Sequence, residues 1–284
     1  MAEKDISEKI LESYNDVFAD IVNVLLFDGK IVIQPEELVD HNPRAEYKAD
    51  GKLREIERDV AKQWTKSNIR IACIGLENQT VADADMPLRV IGYDGAEYRA
   101  QLNRGKERYP VVTLVLYFGA KRHWDKARSL YEALDIPPEF KPYVQDYRIN
   151  LYEIAYLDPE TVKKFKSDFR IVADYFVQKR MNGEYHPSAE KITHVQAVLQ
   201  LLRVMANDQR FEDVATESQE GEITNMCEVL DKIEARKEAQ VNERVATDLL
   251  NANAPLNLIK IASKLSEEDI RAIAKKIGVE VVEG

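Results

Sequence analysis

The sequence has few cysteines and no long apolar segment. Its 284 residues include two cysteines, Cys73 and Cys227, which are too few for a disulfide framework and lack the spacing of a metal site. No stretch approaches the roughly 18 apolar residues that a membrane helix needs. The first ten residues, MAEKDISEKI, are charged where a secretory signal would be apolar. We therefore expect a cytoplasmic protein with no membrane partner.

The net charge of −10 argues against broad affinity for nucleic acid, because such affinity comes mainly from Lys and Arg. The charge is unevenly distributed. Residues 206–284 hold 17 acidic and 10 basic side chains, which leaves a net charge of only −3 on residues 1–205. A nearly balanced N-terminal region can still carry a local basic groove.

The N-terminal region predicts an amphipathic helix over residues 5–27, since its apolar residues recur at helical spacing. Asp16 and Asp20 are four residues apart and share one face of that helix. They are either functional acids or part of a solvated helix face. A short strand is expected at residues 30–33.

Residues 57–64 and 69–79 predict two strands of a hairpin, joined by the turn at residues 65–68. The second strand begins apolar and ends in GLENQT, so an apolar strand finishes in a carboxylate and two amides. Side chains alternate along a strand, which puts Glu77 and Gln79 on the same face. Hairpin pairing sets Asp59 opposite a position near residue 74, and a bulge or shifted turn would bring it nearer Glu77.

Two carboxylates at close range repel each other and lose solvation, so they stay ionised only with a positive charge between them. A divalent ion with oxygen ligands, Mg²⁺ or Mn²⁺, is the natural candidate. Such an ion would activate a water molecule as a nucleophile against a phosphate. Taken alone, however, Asp59 and Glu77 also fit two solvated carboxylates at strand ends.

The remaining chain predicts a mixed α/β region followed by helices. A helix is expected after Asp85, with two glycines, Gly92 and Gly95, inside it. Residues 110–119 predict a central strand covered on both faces. From residue 158 onward the pattern is helical, which divides the chain into residues 1–157 and 158–284. The chain ends in a helix pair, with a capping box at Ser266 and a stop at Gly278.

This order of elements resembles the bacterial recombination-promoting nuclease, or putative transposase, family of the PD-(D/E)XK nuclease-like group. The resemblance covers roughly residues 10–180 and is carried by NDVFAD at residues 15–20, Glu57-Arg58-Asp59 and GLENQT. It implies an α/β restriction-endonuclease-like core with a mixed sheet flanked by helices, and then an all-helical C-terminal region. It also implies hydrolysis of DNA phosphodiesters in recombination or transposon-like elements, with Mg²⁺ or Mn²⁺ as the cofactor.

By the same resemblance, Asp59 and Glu77 are metal ligands, and an acid of the first helix, Asp16 or Asp20, completes the site. Gln79 stands where many proteins of the wider group hold a lysine. Glutamine can orient a water molecule by hydrogen bonds but carries no charge to stabilise the transition state.

Further expectations concern substrate contacts, self-association and the reaction itself. Arg89 and Tyr93 either contact substrate phosphates or pack the helix that carries them. The helical C-terminal region is expected to form a homo-oligomer. The protein could also be a catalytically inactive nuclease fold that acts in binding or assembly, or a nuclease for RNA or branched DNA.

Overall fold

The computed structural model of the protein describes residues 11–41, 44–49, 52–57, 60–75, 82–103, 108–217 and 221–283. The chain forms two compact units, residues 1–215 and 216–284. Helices dominate after residue 158, but the sheet and the helices up to residue 215 belong to the same unit. The division after residue 157 into a nuclease-like core and an assembly region stays a prediction.

The strands of the first unit are β1 (Leu38–Asp40), β2 (Arg44–Ala49), β3 (Lys52–Glu57), β4 (Val60–Trp64), β5 (Ile69–Gly75), β6 (Val111–Tyr117) and β7 (Asn150–Glu153). Five of them form one mixed sheet in the order β1-β4-β5-β6-β7, and β2 pairs with β3 in a separate hairpin. β4 is antiparallel to β1 and β5, whereas β6 is parallel to β5 and β7.

The helices before residue 218 are α1 (Asn15–Phe27), α2 (Met86–Asn103), α3 (Leu130–Ala133), α4 (Pro159–Val162), α5 (Phe169–Asn182), α6 (Val195–Ala206) and α7 (Arg210–Glu217). A helical turn at residues 11–13 precedes α1. α2 continues through both Gly92 and Gly95, although glycine weakens a helix interior.

Helices cover both faces of the sheet. On one face, α2 packs against β6 in an apolar cluster that includes Met86, Val90, Val115 and Tyr117. On the other face, Phe118 lies against Phe169 and Phe176 of α5, with ring centroids 6.3 and 5.4 Å apart. The central strand predicted at residues 110–119 is confirmed, because residues 114–117 have no solvent exposure. The predicted fold class, an α/β core with a mixed sheet and a helical C-terminal region, is confirmed.

The strand expected at residues 30–33 does not form, and the side chain of Asn23 explains why. Its Oδ1 accepts hydrogen bonds from the backbone N–H groups of Val32 and Ile33 at 3.0 and 2.9 Å. Its Nδ2 donates to the Ile33 carbonyl at 2.8 Å. The buried amide therefore satisfies backbone groups that a neighbouring strand would otherwise have to satisfy.

The second unit contains α8 (Met226–Asn251), α9 (Leu256–Ser263) and α10 (Glu267–Ile277). Apolar residues of all three helices form one core, among them Leu250, Ile259 and Ile270. The predicted cap of α10 is confirmed, since Ser266 Oγ accepts a hydrogen bond from the Asp269 N–H at 3.1 Å. Gly278 ends the helix with a φ of 75°, in the left-handed region.

Candidate active site

The hairpin of β4 and β5 brings the start of one strand to the end of the next. Val60 pairs with Cys73, and the tight turn at residues 65–68 closes the opposite end, with Asn68 at a positive φ of 48°. Gly75, the last residue of β5, pairs with Leu116 of β6. The start of β4 therefore lies at the same edge of the sheet as the ends of β5 and β6.

This edge is the carboxyl edge of the parallel strands β5, β6 and β7. In open α/β sheets, ligands bind beyond the carboxyl ends of the strands. The three residues predicted to be catalytic are attached here by the chain itself: Asp59 precedes Val60, and Glu77 and Gln79 follow Gly75 by two and four residues. Asp59, Glu77 and Gln79 lie outside the described residues, so their roles stay predictions.

Asp20 of α1 binds the backbone of the segment that precedes α5. Its Oδ2 accepts hydrogen bonds from the N–H groups of Lys166 and Ser167, both at 2.7 Å. Two charge-assisted hydrogen bonds fix the segment before α5 against α1. This arrangement gives Asp20 a structural task in the described part of the protein, and its predicted role as a metal ligand is untested.

Asp16 pairs with a histidine that is distant in sequence. Its Oδ2 lies 3.1 Å from His194 Nε2, and the His194 ring stacks on Tyr14 with centroids 3.7 Å apart. Asp168, buried at 5% exposure, accepts hydrogen bonds from the N–H groups of Thr193 and His194. The backbone that carries His194 is therefore fixed, and Asp16 is half-exposed beside it.

A cavity of about 320 Å³ lies next to Asp16, and its lining includes Lys166, Arg170, Glu190 and Lys191. Acidic and basic side chains are mixed around it, and Arg170 Nη1 lies 2.9 Å from Glu190 Oε1. Within the described ranges, no three His, Cys, Asp or Glu side chains are grouped as a metal site would require. A cavity of mixed charge therefore lies beside Asp16, and the predicted role of Asp16 in a metal site is untested.

Arg89 and Tyr93 contact each other along α2. Arg89 Nη1 donates to Asp83 Oδ2 at 2.9 Å, and Arg89 Nη2 donates to the Tyr93 hydroxyl at 3.2 Å. Tyr93 is buried at 8% exposure within the cluster between α2 and β6. The packing interpretation thus has direct support, and substrate binding by these two residues is untested.

Glu12 is a buried acid that the sequence reasoning missed. It is 1% exposed and lies in the helical turn before α1. The carbonyl of the next residue, Ser13, accepts a hydrogen bond from Lys62 Nζ of β4 at 2.7 Å. Asn15 donates to the Leu38 carbonyl at 3.0 Å, and Leu38 pairs with Trp64 at the far end of β4.

The helical N-terminal segment contacts two strands of the sheet. The Ser13 carbonyl binds Lys62 of β4, and Asn15 binds the Leu38 carbonyl of β1. Glu12 precedes Asp16 and Asp20 in this segment. Its only local signal in the sequence is that it follows Leu11, which is also buried.

The fold and this edge define an α/β protein with a nuclease-like core. The family model described as "Putative transposase, YhgA-like" matches residues 49–211, which is more than half of the chain. The chain therefore belongs to the YhgA-like putative transposase family, as the resemblance indicated. Neither curated proteins nor solved structures gave a match. Within the described part of the chain, no helix has the length and apolar character needed to cross a membrane.

Proposed function

We propose that this chain is a divalent-metal-dependent DNA endonuclease that acts in recombination or in transposon-like elements. The observation that carries the proposal is the pairing of Val60 with Cys73 beside the parallel pair Gly75 and Leu116. Through chain connectivity, this register ties Asp59 and Glu77 to one edge of the sheet. Membership of a family described as a transposase supports DNA as the substrate.

Asp59 and Glu77 are the proposed ligands of Mg²⁺ or Mn²⁺. Carboxylate oxygens on neighbouring strands suit these hard cations, which retain open positions for water and phosphate. Bound there, the ion would lower the pKa of a water molecule and neutralise charge on the phosphate. The protein's own part is the hairpin of β4 and β5, to which Asp59 and Glu77 are joined by one and two residues of chain.

Gln79 is proposed to orient the attacking water molecule. Its amide can donate and accept hydrogen bonds but cannot take up a proton at neutral pH. The proton of the water must therefore pass to another group, such as solvent or a phosphate oxygen of the substrate. We expect slower hydrolysis than a lysine at this position would allow, because no fixed positive charge is present.

Glu12 is the acid of the N-terminal segment that we favour as the third member of this site. It is buried, and the next residue, Ser13, accepts a hydrogen bond from Lys62 of β4, two residues after Val60. A buried acid in the segment that contacts β4 suits a site whose other proposed acids are joined by the chain to the hairpin of β4 and β5.

The helical C-terminal region is proposed to mediate self-association. On α9, Leu258 and Ile261 are three residues apart and share a face, with exposures of 46% and 79%. Exposed apolar side chains of this size favour a partner surface. The Ile261→Glu variant should lower the mass of the oligomer measured by light scattering, and a wild-type protein that is monomeric at all concentrations would exclude this part of the proposal.

Cleavage of supercoiled plasmid tests the enzymatic proposal. Wild-type protein should nick the plasmid with Mg²⁺ or Mn²⁺ and not with chelator. Glu77→Gln should lose at least about a hundredfold in rate, because a neutral amide is a poor ligand for these cations. Glu36→Gln is the matched control, since Glu36 is exposed in the turn that precedes β1.

Each result separates one interpretation from another. Equal nicking by wild type and Glu77→Gln would remove the proposed site, and nicking that persists in chelator would remove the metal. If the wild-type protein binds DNA but never cuts it, the non-catalytic binding role becomes the better interpretation. Parallel assays with RNA and branched DNA would define the substrate class.

A further inference from the structure

The loop after β6 presents three exposed basic side chains at the carboxyl edge. Lys121, Arg122 and His123 are all exposed, and they follow β6 by four to six residues. Because Leu116 pairs with Gly75, this loop starts beside the end of β5. The carboxyl edge thus carries a basic loop next to the strand end that leads to Glu77.

The backbone of this loop is anchored at alternate residues. The Ala120 carbonyl accepts a hydrogen bond from the Tyr156 hydroxyl at 3.4 Å, and the Arg122 carbonyl accepts one from the Tyr117 hydroxyl at 3.2 Å. The Trp124 N–H donates to Glu153 Oε1 at 2.5 Å. These hydrogen bonds hold the loop backbone in place, and the side chains of Lys121 and Arg122 extend into solvent.

Gly119 lies close to the side chain of Tyr117. A Cβ atom on Gly119 would overlap Cζ and the hydroxyl oxygen of Tyr117, so a larger residue cannot fit without a shift. Burial raises the pKa of the Tyr117 phenol above its usual 10. The phenol therefore stays protonated at neutral pH and continues to donate to Arg122.

His123 is also fixed by its neighbours. Its ring lies against the Tyr156 ring at a tilt of 30°, with centroids 3.7 Å apart, and the Arg180 guanidinium lies 4.9 Å from the same tyrosine ring. Glu153 lies 3.3 Å from His123 Nδ1 and 3.2 Å from Arg128 Nη2. Glu153 of β7 therefore contacts three residues that follow β6, and its side chain is only 17% exposed.

The loop and the four residues that follow it keep a net positive charge. Residues 121–128 include four Lys or Arg side chains and one acid, Asp125, and Glu153 of β7 offsets the charge of Arg128. Arg122 lies 3.6 Å from Asp125, where both side chains are exposed, and such a pair is weak in water. Lys121 has no ion pair with any residue in the described ranges. In a chain of net charge −10, this is a local concentration of positive charge.

We propose that the loop at residues 119–124 binds the phosphodiester backbone of the nucleic acid, with Lys121 and Arg122 as the contacting side chains. This inference rests on the proposed function, and it names the surface beside the catalytic edge that would hold the substrate. Lys and Arg bind phosphates by displacing counterions, without regard to base sequence. An anchored backbone lowers the entropy lost when these side chains engage the substrate.

Binding of a short fluorescein-labelled DNA duplex, measured by anisotropy over a range of salt concentrations, tests the proposal. Chelator is present throughout, so that metal-dependent cleavage cannot alter the probe. The double variant Lys121→Gln/Arg122→Gln should bind more weakly, and its plot of log affinity against log salt should be shallower by about 2, or about 0.9 for each lost phosphate contact. The exchanged pair Lys121→Arg/Arg122→Lys should bind like wild type.

The matched control is Lys66→Gln/Arg148→Gln, which removes the same charge at the opposite edge of the sheet. Lys66 lies in the turn between β4 and β5, and Arg148 lies two residues before β7; both are exposed. Equal weakening by the two double variants would overturn the proposal, since only net charge would then matter. Unchanged binding by Lys121→Gln/Arg122→Gln would also overturn it.

The result is separate from that of the cleavage assay. If Glu77→Gln abolishes cleavage but the loop variant binds normally, the enzyme proposal stands and the loop proposal fails. If the loop variant loses binding while the wild-type protein never cuts, the loop proposal stands and the enzyme proposal fails. Thermal melting of each variant verifies that the fold is retained.

Discussion

Arg70 of β5 forms an ion pair with Glu97 of α2, and the two side chains are 1% and 3% exposed. Glu97 also accepts a hydrogen bond from the Tyr109 hydroxyl at 2.7 Å. One turn earlier on α2, Asp94 is 2% exposed and accepts a hydrogen bond from Thr113 Oγ1 of β6 at 2.6 Å. Buried polar contacts therefore join α2 to the strands that lead to the candidate site.

The first prediction concerns the Arg70–Glu97 pair. Glu97→Gln should destabilise the protein by about 3 to 5 kcal/mol, because it leaves the Arg70 charge buried without its carboxylate partner. Chemical denaturation measures this loss. The matched control is Glu160→Gln, which removes an exposed pair with Lys163 and should cost about 0 to 1 kcal/mol. Similar losses in the two variants would show that burial does not determine how much free energy of unfolding is lost when an ion pair is removed.

The second prediction concerns Gly119. Gly119→Ala should destabilise the protein by about 1 to 3 kcal/mol, since its Cβ would displace the buried Tyr117 ring. Denaturation gives the free energy, and the anisotropy assay should show weaker DNA binding because the loop loses its anchored geometry. Full stability in this variant would contradict the close approach of Tyr117.

The third prediction concerns Gly92, where an alanine should stabilise the protein. Gly92→Ala should stabilise the protein by about 0.5 to 1 kcal/mol, because alanine favours a helix and nothing lies within 4 Å of the added Cβ. Gly92 is exposed within α2, so its thermal midpoint should rise without any change in DNA binding. A lower midpoint would mean that α2 needs glycine at this position.

The fourth prediction concerns alkaline pH. Burial raises the pKa of Tyr175 to about 12, from an ordinary value of 10.0. Its ring packs edge-on against Phe176, Tyr185 and Phe211. The unfolded chain loses the phenol proton near pH 10, whereas the folded protein retains it until about pH 12. The stability that Tyr175 contributes is therefore complete below pH 10 and is lost as pH rises towards 12.

The Tyr175→Phe variant removes this ionisation and retains the ring. Denaturation of wild type and variant between pH 9 and 12 should show a steeper fall in the wild type's free energy of unfolding. Parallel curves across that range would contradict a raised pKa for the buried phenol.

Much of the sheet was predictable because its signals are local. β6 is a continuous apolar run, and such a run indicates a strand covered on both faces. The hairpin of β4 and β5 follows from two strand patterns separated by a short polar turn. The cap of α10 follows from Ser266 and Asp269, three residues apart. Each of these features depends on residues that are close together in sequence.

The buried charges were not predictable in the same way. Lys62 and Arg70 belong to residue types that are mostly exposed in proteins, yet they are 0% and 1% exposed. Their partners are distant in sequence: Lys62 pairs with Asp40 of β1, and Arg70 pairs with Glu97 of α2. Only the tertiary fold brings these partners together, so a local pattern cannot reveal them. The same reason explains why Glu12 was missed and why the partner of Asp20 was not foreseen.

The last prediction separates a catalytic acid from a structural acid in the N-terminal segment. Glu12→Gln should lower metal-dependent plasmid nicking by about 10- to 100-fold, as loss of a group that supports a bound metal does. Asp20→Asn should instead lower stability by about 1 to 3 kcal/mol, because it weakens the acceptor of the Lys166 and Ser167 N–H groups.

The two variants are compared in one design, with nicking rates measured across Mg²⁺ concentrations and stability measured by denaturation. For Glu12→Gln, the Mg²⁺ concentration at half-maximal rate should rise, which a purely structural role would not produce. For Asp20→Asn, the rate per folded molecule should stay unchanged. If only Asp20→Asn loses activity, Asp20 of α1 and not Glu12 is the third acid of the metal site.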